Sequence, residues 1–179
     1  NEVVEPAIKG TDPLRLEKIF EALKPQMKEH PSAMAMVDMA FYDLLGKVAG
    51  LPLYQMLGGF RSRIKTSITI GIMPVDETIK KARGFVDQGF RALKIKGGTD
   101  VDTDIERIIR VREDVGKNIE LRFDANQGYD LAAAQHFVQH TADLEIEILE
   151  QPVPIGQEAV LADLIGRTQI PVMADESLK

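Results

Sequence analysis

Two hydrophobic patterns meet near residue 65. Before it, apolar positions recur at helical spacing. "TDPLRLEKIFEALKPQM" predicts a helix with Thr11 or Asp12 as its cap and Pro13 near the first helical position. "PSAMAMVDMAFYDLLGKVAG" predicts a second, with Ser32 as cap and Gly50 as terminator. Met36, Met39, Ala40, Leu44 and Val48 recur at helical spacing in it, so the methionines read as core filler. The loop "LPLYQMLGGFRSR" closes this region, giving a helical part over 1–64.

From Lys65 onward, short β-rich runs alternate with amphipathic helical ones. "KTSITIG", "RALKIKG", "IELRFDAN", "IEILEQP" and "IPVMADE" predict strands. Between them, "DETIKKARGFVDQG", "VDTDIERIIRVREDVG", "DLAAAQHFVQHTAD" and "QEAVLADLIGRT" predict helices. Strict alternation over 65–179 calls for an α/β fold with a parallel sheet and right-handed helical crossovers. Two architectures satisfy it: an open doubly wound sheet and a (β/α)₈ TIM-type barrel. No G-x-G-x-x-G follows the first strand and no P-loop occurs, which disfavours an open-sheet nucleotide binder.

Composition narrows the partners. The net charge is −6, and no run of lysine and arginine relieves it, so no nucleic-acid partner is expected. No apolar run approaches the roughly 20 residues of a membrane helix, so no membrane partner is expected either. The chain has no cysteine, which removes disulfides and thiolate chemistry and fits a cytoplasmic location.

Four successive strands end in residues able to do chemistry. The second carries Lys94 and Lys96, two apart and so on one face. The third ends in Asp124 and Asn126, the fourth in Glu150, the fifth in Asp175 and Glu176. From Lys96 the steps to Asp124, Glu150 and Asp175 are 28, 26 and 25 residues, one βα unit each. The groups are therefore expected at equivalent heights at the C-terminal ends of neighbouring strands. Barrels and open sheets alike bind ligands at that end.

Three carboxylates at one rim repel one another, and a divalent cation resolves this. Hard oxygen donors without histidine or cysteine favour Mg²⁺, with Mn²⁺ as the alternative, on Asp124, Glu150 and Asp175. Lys96, nearest the rim, is assigned as the base. Lys94 tunes it or binds the substrate's anionic group, and Asn126 hydrogen-bonds substrate or a metal-bound water. A lysine beside Mg²⁺ suits removal of a proton next to a carboxylate, through an enediolate. Surface decoration would explain the lysines and helix capping the aspartates, but three acids at one-unit intervals after a lysine pair argue against coincidence. Glu176 reads as a supporting residue and Arg122 as an ion-pair partner on the Asp124 face. His136 and His140, four apart on a helix outside the strands, read as solvated or packing residues.

"KIK", "DANQGY", "EQP" and "ADES", in this order and spacing, resemble the muconate lactonizing enzyme subgroup of the enolase superfamily. "TIGI" followed by "VDETIKKA" looks most like the dipeptide epimerases. The resemblance runs from about Ser32 to Lys179 and takes in "AMVDMAFYDLLGKVAGLPLYQMLGG". It implies a (β/α)₈ barrel beside an α+β capping domain. Residues 1–64 would supply the helical end of that domain and a linker, and 65–179 about five βα units. It implies Mg²⁺ on Asp124, Glu150 and Asp175, and Lys96 as acid/base with Lys94 as its electrostatic partner. It further implies a small carboxylate substrate, a dipeptide, and a homo-oligomeric enzyme. The activity would be a 1,1-proton transfer between two lysines on opposite faces of the substrate. Muconate cycloisomerase, o-succinylbenzoate synthase and N-acylamino acid racemase share the same half-site, and a noncatalytic barrel fragment is the reading from another class. The family's second lysine lies some two dozen residues beyond the position of Asp175, and Lys179 does not match it. The chain is accordingly expected to be part of a longer enzyme and to lack epimerase activity alone.

Overall fold

The computed structural model describes residues 2–178. It divides into two compact units, Asn1–Ile64 and Lys65–Lys179.

The first unit is helical: α1 (Val4–Ile8), α2 (Leu16–Met27), α3 (Pro31–Ala49) and α4 (Leu53–Met56). Its core joins Ile19, Leu23 and Met27 of α2 to Val37 and Phe41 of α3, with Phe20 meeting Phe41 edge-on. The sequence expectation for α3 is corrected here. Met36, Met39, Ala40, Leu44 and Val48 are exposed, because Val37 and Phe41, one turn apart, form the face that meets α2. The caps also differ. Asp12 accepts the Leu14 N–H and Thr11 donates to the Ile8 carbonyl, so both close the turn before α2. In α3, Pro31 takes the first helical position and His30 the cap, placing Ser32 inside the helix. Gly50 ends α3 in the left-handed conformation, φ 65°, as its sequence position predicts.

The second unit alternates as the pattern predicts: β1 (Ile68–Ile70), α5 (Val75–Asp87), β2 (Ala92–Lys96), α6 (Val101–Val115), β3 (Glu120–Asp124), α7 (Leu131–His140), β4 (Ile146–Glu150), α8 (Glu158–Ile165) and β5 (Val172–Met173). All four strand pairs are parallel, and the strands lie side by side in chain order, β1-β2-β3-β4-β5. A doubly wound sheet reverses order at a switch point. This one does not, so it has the winding of a (β/α)₈ barrel wall.

Leu93, Ile95, Leu121, Phe123, Ile146 and Leu149 point from the strands into a core shared with Ile105, Ile108 and Val111 of α6 and Phe137 of α7. One irregularity matters. The β3–β4 register shifts after Leu121, so that Leu121 faces Ile146 but Arg122 faces Ile148. Glu147 is the additional residue. At the N-terminal end of the strands, Arg112 of α6 is buried and donates to the carbonyls of Leu144, Gly116 and Ile119. Burial holds its pKa below the ordinary arginine value. No helix among the described residues is long and apolar enough to cross a membrane.

Candidate functional site

The register sets the site. Lys96 pairs with Asp124, Asp124 with Glu150, and Glu150 with Met173, forming one row across four strands. Lys94 and Lys96 project to the same side and both reach Asp124, with Nζ to Oδ2 at 3.0 and 3.1 Å. Lys94 also donates to Glu150 Oε1 at 2.6 Å. The two carboxylate side chains are 2% and 8% exposed and that of Lys94 20%. An ammonium thus lies between two buried carboxylates on adjacent strands.

For Asp124 and Lys94 burial is the largest influence and works against the charge, but their contacts outweigh it. Hydrogen bonds from Lys94 and Lys96, with their charges, hold the Asp124 carboxyl below its ordinary pKa. Hydrogen bonds to Glu150 and Asp124 hold Lys94 above its ordinary value. Both directions favour the charged forms of Asp124 and Lys94.

Asp175 is not at the height of the others. Met173 occupies the row beside Glu150, and Asp175 lies two residues farther along, exposed in the bend beyond the end of β5. Among the described residues, no three histidine or acidic side chains come close enough together to hold a metal ion. The expectation of equal heights holds for Lys96, Asp124 and Glu150 and is corrected for Asp175. The donor chemistry nonetheless suits a hard divalent cation. Asp124 and Glu150 are buried oxygen donors in register, and the protein already holds a positive charge between them. Asp175 would have to turn toward them to become a third ligand.

Asn126 lies above Asp124 with left-handed backbone, φ 48°, and Gln127 follows at 67°. Side chains other than glycine rarely hold such angles, and asparagine tolerates them best. The turn is secured by Asn126 N–H donating to Asp124 Oδ1 (2.9 Å) and Gln127 N–H donating to the Gln151 carbonyl (2.7 Å). Asn126 Nδ2 points toward Glu176 Oε1 at 3.5 Å, and Glu176 Oε2 is buried without a hydrogen-bond partner. Arg122 forms a two-pronged pair with Glu147, the residue supplied by the bulge. His136 bonds Asp102 and His140 the carbonyl of His136, on the exposed side of α7. Lys179 lies outside the described residues.

Sequence reading overlooked Gln151. It is completely buried, and its Oε1 accepts the N–H groups of Asp175 (2.8 Å) and Ser177 (3.2 Å). Its Nε2 donates to Val153 O and Ser177 Oγ, both at 2.8 Å. One amide therefore shapes the turn that carries Asp175 and Glu176. Only its neighbourhood in "EQP" hinted at this, since its partners lie up to 26 residues away.

Comparison with known proteins agrees with this geometry. Residues 77–179 match the family described as enolase C-terminal domain-like, and residues 1–58 match the mandelate racemase / muconate lactonizing enzyme N-terminal domain. The chain is 42% identical over 171 residues to the hydrophobic dipeptide epimerase of Enterococcus faecalis, covering 96% of this chain and 48% of that protein. It is 40% identical over 179 residues to the L-Ala-D/L-Glu epimerase of Bacillus subtilis, covering 98% and 49%. The crystal structure of the dipeptide epimerase from Enterococcus faecalis complexed with Mg and the dipeptide L-Leu-L-Tyr superposes with a TM-score of 0.93 at 41% identity, over 98% of this chain and 51% of that one. The chain thus spans about half the length of the relatives it matches. With the β-strand winding, the row of lysines and carboxylates and both family matches in agreement, the chain belongs to the mandelate racemase/muconate lactonizing enzyme family of the enolase superfamily.

Proposed function

We propose that this chain carries one half of the active site of a Mg²⁺-dependent dipeptide epimerase. The observation that supports it most is the Lys96–Asp124–Glu150 row, with Lys94 pairing both acids at the C-terminal rim of the sheet. The named activities of its relatives point the same way.

In this reading Asp124 and Glu150, with Asp175 turned in to join them, would hold the cation. When bound, it offsets the negative charge that builds on the substrate carboxylate as the neighbouring carbon loses its proton. Lys96 exchanges that proton at Nζ from one face of the substrate. Lys94 keeps a positive charge beside Asp124 and Glu150 and so limits their repulsion. Asn126, exposed above Asp124, offers its amide to the substrate, and Glu176 orients that amide. A base on the opposite face of the substrate completes inversion. A homo-oligomeric, cytoplasmic enzyme acting on a small dipeptide is the corresponding whole.

The test is dipeptide exchange followed by NMR in D₂O with Mg²⁺ present. Deuterium is expected to enter the α-carbon of the C-terminal residue, and Lys96→Ala is expected to abolish it. Exchange that survives Lys96→Ala, or a melting temperature that Mg²⁺ does not raise, overturns the proposal.

A further inference from the structure

We propose that Asp104, Arg107 and Tyr129 form a positioning device for Lys96, in which one buried carboxylate clamps together the turns that follow β1, β2 and β3. The inference takes Lys96 as the reacting amine, as the proposed function does, and its test reads that amine without requiring turnover.

Asp104 is on the first turn of α6 and is only 1% exposed. Its Oδ2 accepts the Gly98 N–H and the Tyr129 hydroxyl, both at 2.7 Å. Its Oδ1 takes the Arg107 guanidinium, which also donates to the Met73 carbonyl at 3.3 Å. Gly98, Tyr129 and Met73 lie in three different βα turns. Burial, then the charge of Asp104, pushes the Tyr129 phenol far above its ordinary pKa, so it remains a donor.

Helix formation does not need this carboxylate. Asp100 already caps α6 by accepting the Thr103 N–H. Stability does not obviously need it either, since buried ion pairs can often be replaced by apolar groups without loss. Arg107 even leaves Nε buried and unpaired. What the cluster does supply is geometry. Directly after Lys96, Gly97 donates to the Asp124 carbonyl at 2.9 Å and Gly98 donates to Asp104. The two turns touch backbone to backbone. A Cβ on Gly98, which has φ +99°, would overlap the Ala125 carbonyl, and one on Gly128 would overlap Gly98. Tyr129 then fastens the far end of the turn that carries Asn126. Lys96 and its partner Asp124 are therefore presented by two turns tied to the same carboxylate.

The experiment is amine labelling of the full chain with acetic anhydride at fixed pH, read by mass spectrometry. The rate at Lys96 is divided by that at Lys117, an exposed lysine on the opposite end of the strands. In Tyr129→Phe, loosening the turn that holds Asp124 frees the Lys96 amine from that carboxylate more often. The ratio is expected to rise about fivefold or more, the factor one lost hydrogen bond gives. Phe137→Leu is the control: Phe137 packs on both Tyr129 and Phe123 and has no part in the polar cluster. It should lower the melting temperature without moving the ratio. Asp104→Asn serves as the second variant if Tyr129→Phe does not fold. A ratio unchanged in the cluster variant, or raised equally in Phe137→Leu, overturns the proposal. Failure of Mg²⁺ to stabilise the chain would count against the proposed function alone.

Discussion

Replacing Lys94 by methionine keeps the side chain as far as its ε position and removes the ammonium. Native Lys94 contacts Glu150 at 2.6 Å and Asp124 at 3.0 Å. Stranding one side of a buried ion pair costs about 3–5 kcal/mol. Two features reduce this: Lys96 remains 3.1 Å from Asp124, and the Lys94 side chain is one-fifth exposed. We expect a loss of about 2–3 kcal/mol, which for a unit of this size is a fall of roughly 8–12 °C in Tm. The loss should depend on pH. The Asp124 carboxyl is held low, so its contribution is complete above its unfolded value, near pH 4, and disappears as pH falls through the lower folded value. Lys94 is held high, so its contribution is complete below its unfolded value of about 10.4 and is lost as pH rises through the folded value. The difference between wild type and Lys94→Met should therefore be full from about pH 5 to 10 and should close as pH falls through the depressed folded value of Asp124. Circular dichroism melts across that range measure it. Mg²⁺ should restore more of the melting temperature in Lys94→Met, where no ammonium competes for the acids. Equal melting temperatures near neutrality, or a gap that does not narrow in acid, would refute the reasoning.

Two other substitutions probe the turns. Gly98→Ala combines a left-handed backbone with overlap on the Ala125 carbonyl and should abolish the cooperative melt. Gly89→Ala, with nearly the same φ in open space, should cost only about 1–2 kcal/mol, and equal costs would contradict this account. Gln151→Ala removes three hydrogen bonds to the Asp175 turn and one to the Val153 carbonyl, and should cost about 2–4 kcal/mol. It should also weaken the rise in melting temperature with Mg²⁺, and an unchanged rise would dissociate Gln151 from the metal site.

The βα alternation was legible because each strand is a short apolar run and each helix has its own amphipathic period. The common face of Lys94 and Lys96 followed from strand geometry alone. Glu150 is more instructive. Strict alternation from Ile146, which faces the helices, would send Glu150 to the helices as well; the bulge at Glu147 turns it to the opposite side. Counting whole βα units reached the right placement where local alternation would have failed. The same count placed Asp175 too low, because unit length does not fix the register of β5. The buried face of α3 was misread because it is apolar on more than one side, so period alone could not choose. The roles of Asp104 and Tyr129 left no trace in the periodicity, and that of Gln151 only the hint in "EQP", since hydrogen bonding between turns has no period.

The order in which the strands lie side by side has a consequence during synthesis. Each strand pairs with the one made just before it, so the sheet can grow as the ribosome delivers it. A nascent chain that has reached β3 can already join Lys96 to Asp124. Lys94 must wait for Glu150, 56 residues after it, before its second acid arrives. Until then a growing polypeptide carries an incompletely neutralised lysine pair, and emergence of β4 is the moment at which its charges balance.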